Sequence, residues 1–158
     1  WSHFYFGDVR NEYPEKFGLY IGYNNGLSHR IEAGSDFFVM PSAFEPCGLN
    51  QMYSLRYGTL PIVRATGGLD DSVENFDEQN LTGNGFKFWS HDADSLFDTV
   101  GWAVHTWYHR KDAMAALIGN AMAKRFTWED SAARYEELYC RALRKRLGVG
   151  VFVRRFGG

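Results

Sequence analysis

The chain has 158 residues, of which 45% are apolar and 17% aromatic, a composition typical of one globular domain with a sizeable core. The formal net charge of −2 gives no electrostatic basis for binding nucleic acid or an anionic membrane, and no apolar run approaches the roughly 20 residues that span a bilayer. Two cysteines, Cys47 and Cys140, are too few for a disulfide framework, and no His/Cys spacing is typical of a metal site, which favours a reduced, cytoplasmic compartment.

The first part of the chain predicts a helix, a strand and a second, shorter helix. Apolar side chains recur at every fourth position over residues 2–13, and Pro14 marks the end of that helix. The apolar run 17–21 is typical of a buried strand, and residues 22–25 would be its exit loop. A short helix closed by Gly34 follows.

The centre of the chain predicts a strand, a loop and a helix. Residues 36–40 form an apolar run of buried-strand type. The loop after it contains Glu45 and a Gly48 that lets a ligand approach the backbone. Apolar side chains at helical spacing then continue to Gly58, which suits a C-cap. Free N–H groups at the start of such a helix attract phosphate or another anion.

A second unit repeats this arrangement. Residues 60–65 predict another strand, and a loop rich in glycine and hydroxyl groups follows over 66–72. In open α/β sheets, ligands bind at the carboxyl edge of the strands. We therefore expect the two loops to converge on one cleft at that edge.

The remainder of the chain predicts one more strand and three helices. They follow a polar loop over residues 74–85, and Asp92 and Thr127 are the expected N-caps of the first and third helices. The predicted bounds are a strand at 85–88 and helices ending near His109, Lys124 and Leu147.

The alternation of strands and helices predicts an α/β fold with a Rossmann-like parallel sheet and flanking helices. We expect one domain over residues 1–147, and a tail of unclear origin, apolar and basic, over 148–158. Because the chain begins at Trp1 without a Met, it is expected to be a piece of a longer protein.

Several short blocks, in one order and without large gaps, are typical of a known family. They are Gly22-Tyr23, 28–36, Glu45-Pro46-Cys47-Gly48-Leu49, 57–61, Thr66-Gly67-Gly68-Leu69 and 126–132. Over about residues 13 to 143, the chain resembles bacterial glycogen synthases and plant starch synthases, glycosyltransferases of the GT-B kind.

This resemblance implies that the chain is the C-terminal, donor-binding half of such an enzyme, incomplete at its N-terminus. The complete enzyme would transfer glucose from ADP-glucose to the non-reducing end of an α-1,4-glucan, with retention of the α configuration. The resemblance implies no metal and no cofactor besides the donor substrate. The glucan would bind through the missing N-terminal half, and a plant origin would place the protein in a plastid.

The resemblance also implies roles for the residues of the donor site. Glu45 would be the catalytic residue, holding the glucose hydroxyls and favouring the positive charge that develops at the anomeric carbon. Tyr23, next to Gly22, would stack on the adenine. The other nucleotide-sugar-binding residues, lining the sugar and the diphosphate, would be Cys47, Gly48, Leu49, Asn50, Thr66, Gly67 and Gly68.

The chain departs from the family pattern at its front. Two strands of the family, together with an Arg and a Lys that clamp the donor phosphates, have no counterpart here. The missing strands would lie between the runs 17–21 and 36–40, so the sheet must close up, keep an open edge or recruit another chain. The acceptor half, with its active-site His, is absent as well. The chain alone is therefore expected to be inactive.

Without the resemblance, the same residues permit simpler interpretations. Glu45 could merely favour a helix dipole, Cys47 could be a small apolar filler, and residues 66–68 could form a tight turn. A non-catalytic nucleotide-sugar or glucan-binding module stays open as an alternative, since only turnover separates it from an enzyme. A dinucleotide-binding oxidoreductase is disfavoured because no Gly-x-Gly-x-x-Gly run follows any predicted strand.

Overall fold

The computed structural model describes residues 2–148, which form seven helices and three strands. The predicted tail lies, apart from Gly148, outside the described residues, so the division into domain and tail stays a prediction. The elements are α1 (Ser2–Glu12), α2 (Asn25–Gly34), β1 (Phe37–Met40), α3 (Asn50–Tyr57), β2 (Leu60–Arg64), α4 (Gly67–Ser72), β3 (Phe86–Phe88), α5 (Ala93–His109), α6 (Lys111–Ala123) and α7 (Trp128–Leu147).

The three strands form a parallel sheet in the order β1-β2-β3. Ile62 of β2 lies opposite Val39 of β1 on one side and opposite Phe86 of β3 on the other. Parallel neighbours need long crossover connections, and helices α3 and α4 lie in the two crossovers here. The α/β fold with a parallel sheet and flanking helices is therefore confirmed.

The main core lies between the sheet and the helices α3, α5 and α6. Leu55, Ile62, Phe86 and Leu117 are fully buried in it. The ring of Trp102 packs edge-on against Phe86, with 4.9 Å between ring centroids. A smaller cluster, in which β2 and α4 meet, covers the other face of the sheet. Burial on both faces is what makes strand β2 a continuous apolar run in the sequence.

The strand predicted at residues 17–21 is wrong. Residues 17–21 form no strand in the structure, and the side chains of Tyr20 and Ile21 are 55% and 50% exposed. The backbone N–H groups of Lys16 and Phe17 donate to the Tyr13 carbonyl instead, continuing a turn after α1. A strand needs a hydrogen-bonded neighbour, and within residues 2–148 nothing pairs with this run.

The loop predicted at residues 66–72 is mostly helix. Helix α4 begins at Gly67, directly after Thr66 at its N-cap position. Leu69 and Val73, four residues apart, are both buried in the cluster on that face of the sheet. This apolar pair at helical spacing outweighs the two glycines, which alone would favour a loop.

Strand β1 pairs only with β2 in the part of the chain that the structure describes. Of the three outcomes expected for a sheet without its first strands, the described chain therefore has the open edge. None of the helices within residues 2–148 is long and apolar enough to cross a membrane.

Candidate functional site

The loop after β1 touches the start of α4 through backbone atoms. The N–H of Gly68 donates a hydrogen bond to the carbonyl of Glu45, with 3.0 Å between nitrogen and oxygen. A Cβ atom at Gly67 would lie 2.1 Å from that carbonyl oxygen, and one at Gly68 would lie 1.9 Å from the carbonyl oxygen of Cys47. Only glycine permits this approach, so the structure brings the two loops together at the carboxyl edge of the sheet, as expected from their positions after parallel strands.

Gln51, on the first turn of α3, connects the same loop to α4. Its side-chain amide is fully buried and shares its N–H groups among the carbonyls of Cys47 and Gly48, both at 3.0 Å, and the hydroxyl of Ser72 at 3.1 Å. The Ser72 hydroxyl in turn donates to the carbonyl of Gly68. Sequence reasoning missed Gln51; the available signal was an amide side chain at a core-facing position of a helix.

The N-terminus of α3 carries no side-chain cap. Leu49 occupies the N-cap position without a capping hydrogen bond, whereas Asn24, Asp92 and Thr127 cap the first turns of α2, α5 and α7 with their side chains. No side chain therefore satisfies the first-turn N–H groups of α3, which is the condition for a helix start that binds an anion. Gly48, at a φ of +71°, turns the chain into this helix.

Glu45 lies half-buried within the loop, and a cation from β2 holds the residues before it. The guanidinium group of Arg64 donates to the carbonyls of Ala43 at 2.8 Å and Ser42 at 3.3 Å. Arg64 thereby fixes the exit of the loop from β1, and sequence reasoning did not single it out. Leu49 and Asn50 are exposed beside Glu45, and Thr66 is half-buried before α4.

Tyr23 and Gly22 lie before α2, at the same end of the molecule. The ring of His29 in α2 contacts the rings of Tyr53 and Tyr57 in α3, and Thr59 donates a hydrogen bond to the carbonyl of Glu32 near the far end of α2. The two helices therefore run side by side in the same direction, with their N-termini at the carboxyl edge of the sheet. Tyr23 is 90% exposed.

A cleft of about 330 Å³ borders the loop on the side of α7. Cys47 and Gly68 line one wall, and the side chains of Lys124, Arg125 and Arg134 line the other. Lys124 is paired with Glu74, while Arg125 and Arg134 have no ion-pair partner among residues 2–148. The carboxylates of Asp71 and Asp130 line the same cleft and offset part of this positive charge. Sequence reasoning did not place this basic wall beside the donor loops.

Within residues 2–148, no group of three or more His, Cys, Asp or Glu side chains could hold a metal ion. The loops after β1 and β2 offer the carboxylates of Glu45, Asp70 and Asp71, an exposed thiol at Cys47, and backbone N–H groups. That set can hold an anion and a polyhydroxylated ring, and can stabilise charge that develops between them.

Comparison with known proteins relates this geometry to a family. No protein-family model matches the chain. Over 158 residues the chain is 98% identical to "Glycogen synthase 1" of Geobacter sulfurreducens, and it spans 32% of that protein. It is 55% identical, over 84% of its length, to the glycogen synthase of Treponema denticola, of which it covers 27%. The catalytic domain of starch synthase IV from Arabidopsis thaliana, bound to ADP and acarbose, aligns with 88% of this chain and 29% of that one, with a TM-score of 0.75 and 37% identity.

The chain thus spans about a third of the length of the curated relatives it matches. The resemblance identified from the motifs is confirmed, because the relatives are glycogen synthases and the structural neighbour is a starch synthase. Over most of its length the chain is therefore similar to a segment of glycogen and starch synthases.

Proposed function

We propose that this chain supplies the donor-binding half of an enzyme that transfers glucose from ADP-glucose to the non-reducing end of an α-1,4-glucan, with retention of configuration. The single observation that carries the proposal is the contact of the Glu45 loop with the Gly67-Gly68 backbone at the carboxyl edge of the sheet. The identity to glycogen synthases and the likeness to an ADP-bound starch synthase support it.

In this proposal the two loops stabilise the negative and positive charges that develop during the reaction. The leaving group is a nucleoside diphosphate, so negative charge grows on its phosphates as the glycosidic bond breaks. The uncapped N–H groups of the α3 first turn would donate hydrogen bonds to these phosphate oxygens, next to Gly48. Glu45 would hold the glucose hydroxyls and stabilise the positive charge at the anomeric carbon. Cys47 and the backbone of residues 66–68 would line the sugar, and Tyr23 would stack on the adenine.

The proposal requires no metal and no cofactor besides the donor substrate. The acceptor glucan would bind through a further part of the enzyme that lies outside this chain. An Arg and a Lys carried with two further strands of the donor half would supply the remaining cations for the diphosphate. A cytoplasmic location belongs to the same proposal, and two unpaired cysteines support it.

The test is a transfer assay with radiolabelled ADP-glucose and glycogen, using the chain alone and the chain within the complete enzyme. We expect sustained transfer only from the complete enzyme, because in this proposal the acceptor glucan binds outside this chain. Calorimetry in parallel should detect weak binding of ADP-glucose to the chain, and weaker binding after Tyr23→Ala. Tyr139→Ala, which removes an exposed ring from α7, is the matched control and should leave binding unchanged.

Three results would contradict the proposal. Sustained transfer by the chain alone would mean that it is more than a donor half. A complete enzyme that binds ADP-glucose without turnover would indicate a non-catalytic nucleotide-sugar-binding module. Equal binding by the parent and by Tyr23→Ala would remove the adenine contact from the proposal.

A further inference from the structure

Two histidines lie one turn apart on the outer face of α5, and the proposed transferase does not use them. His105 and His109 are both exposed, and their ring centroids are 4.5 Å apart. The buried side of the same helix carries Thr99, Ala103 and Thr106, so the histidines face away from the core. Among the described residues, no hydrogen bond or ion pair engages either imidazole.

This geometry is that of a chelating pair. Side chains four residues apart on a helix stand one above the other, with about 5–6 Å between Cβ atoms. A transition-metal ion needs imidazole nitrogens at about 2.0–2.1 Å, and two rings already 4.5 Å apart can both reach that distance by side-chain rotation alone. Because both rings are exposed, their rotation displaces no packed neighbour.

We propose that His105 and His109 form a two-imidazole site for a divalent transition-metal cation. Water would fill the remaining coordination positions, since no third His, Cys, Asp or Glu side chain of the described residues completes a cluster. Imidazole favours Ni²⁺, Cu²⁺ and Zn²⁺ over the hard cation Mg²⁺, which prefers oxygen ligands. An ion held by both rings would bridge the last two turns of α5.

The test is calorimetry with Ni²⁺ alone as the probe, on the folded chain and on single variants checked by circular dichroism. His105→Ala and His109→Ala should each weaken Ni²⁺ binding at least about tenfold, because either change leaves a monodentate ligand. His91→Ala and Cys47→Ser, which remove another histidine and an exposed thiol, should leave the affinity unchanged. Mg²⁺ at equal concentration should produce no binding heat.

Relocating the pair provides the decisive control. Gly101 lies four residues before His105 on the same helix, and a Cβ atom there would meet no other atom within 4 Å. Adding Gly101→His to His109→Ala should therefore restore Ni²⁺ binding to within about threefold of the parent chain. The proposal is overturned if the parent and both single variants bind Ni²⁺ equally, if His91→Ala or Cys47→Ser abolishes binding, or if the relocated pair does not restore it.

Discussion

At the scale of single residues, the candidate site depends on backbone groups that approach more closely than any side chain would permit. The carbonyls of Glu45 and Cys47 lie against Gly67 and Gly68. The buried amide of Gln51 donates hydrogen bonds to the loop carbonyls of Cys47 and Gly48. The position of Glu45 is therefore set by atoms other than its own side chain. Substitutions that disturb this packing should affect stability as well as catalysis.

Gly68→Ala tests the close approach. Its Cβ atom would lie 1.9 Å from the carbonyl oxygen of Cys47, so the loop or α4 must move, and we expect a loss of about 1–3 kcal/mol in the free energy of unfolding. Urea denaturation measures the change. Gly119→Ala is the control, because it adds a methyl group to α6 with no atom within 4 Å and should raise stability by up to about 1 kcal/mol. Equal stabilities of parent and Gly68→Ala would mean that the loop can accommodate a Cβ atom at this position.

Glu45→Gln tests the catalytic role within the complete enzyme. The amide keeps the shape of the side chain but removes its charge, so turnover should fall about 100-fold or more while the fold is retained. Steady-state kinetics measures kcat and KM, and the loss should appear mainly in kcat. Glu136→Gln, on the exposed side of α7, should leave both constants unchanged. If Glu45→Gln turned over at a rate comparable to the parent enzyme, Glu45 would be only an acid near a helix start.

At the scale of elements, α2 carries an acid where a helix normally packs apolar side chains. Glu32 is 1% exposed, and neither of its carboxylate oxygens has a hydrogen-bond partner in the described structure. Burial raises the pKa of Glu32, and nearby His29 opposes that shift. Because the folded state holds this proton more tightly than the unfolded chain, stability from this group is full below the ordinary pKa of 4.5 and is lost as the pH rises through the raised value.

Glu32→Gln should remove this pH dependence. The amide resembles the protonated acid, so the variant should gain stability relative to the parent at pH 7.5 and lose that advantage at pH 4. Comparing the difference at two pH values cancels the packing cost of the amide itself. Chemical denaturation of parent and variant at both pH values measures the difference in the free energy of unfolding. Glu12→Gln, at an exposed position of α1, is the control. A difference between parent and variant that is the same at pH 4 and at pH 7.5 would argue against a raised pKa.

At the scale of the whole molecule, the sheet has three strands, and the outer edge of β1 is unpaired within the described chain. An unpaired edge presents a row of backbone N–H and C=O groups to any second strand. Large apolar side chains are also exposed on three helices and on the loop after β1, among them Phe4, Phe97, Trp128 and Phe44. The unpaired strand edge and these exposed apolar side chains are surfaces on which another protein segment could pack.

Val39→Lys tests whether the open edge drives self-association. Val39 lies in β1 and is 44% exposed, and lysine on an edge strand opposes strand pairing between chains. The chain should associate as its concentration rises, and Val39→Lys should shift that association to higher concentration, as measured by sedimentation velocity. Val104→Lys places the same charge on α5 at a similar exposure of 41% and should have less effect. If both variants shift association equally, added charge rather than the strand edge is responsible.

Much of the fold could be predicted because local chemistry decides it. The apolar runs of β1 and β2, the left-handed Gly58 that ends α3, and the Asp92 and Thr127 caps of α5 and α7 all lie where the sequence places them. The position of the two loops at the carboxyl edge of the sheet was also predictable, because polar and glycine-rich residues directly follow apolar strands. The roles of Glu45 and of the other loop residues stay predictions. The family resemblance could be identified from short sequence motifs that follow one another in the same order as in the family.

Tertiary structure alone decided three features, each of which depends on neighbours distant in sequence. The run 17–21 has the composition of a strand, but it remains irregular because no described strand pairs with it. Gln51 and Arg64 acquire their roles only when α3 and β2 bring them to the loop carbonyls. The sequence by itself therefore determined β1, β2, the end of α3 and the starts of α5 and α7, together with the residue types of the loops, since caps, turns and apolar periodicity are local. The contacts that hold Glu45 in place were decided by the folded chain, because hydrogen bonds and close backbone approaches between distant segments leave no periodic signal in the sequence.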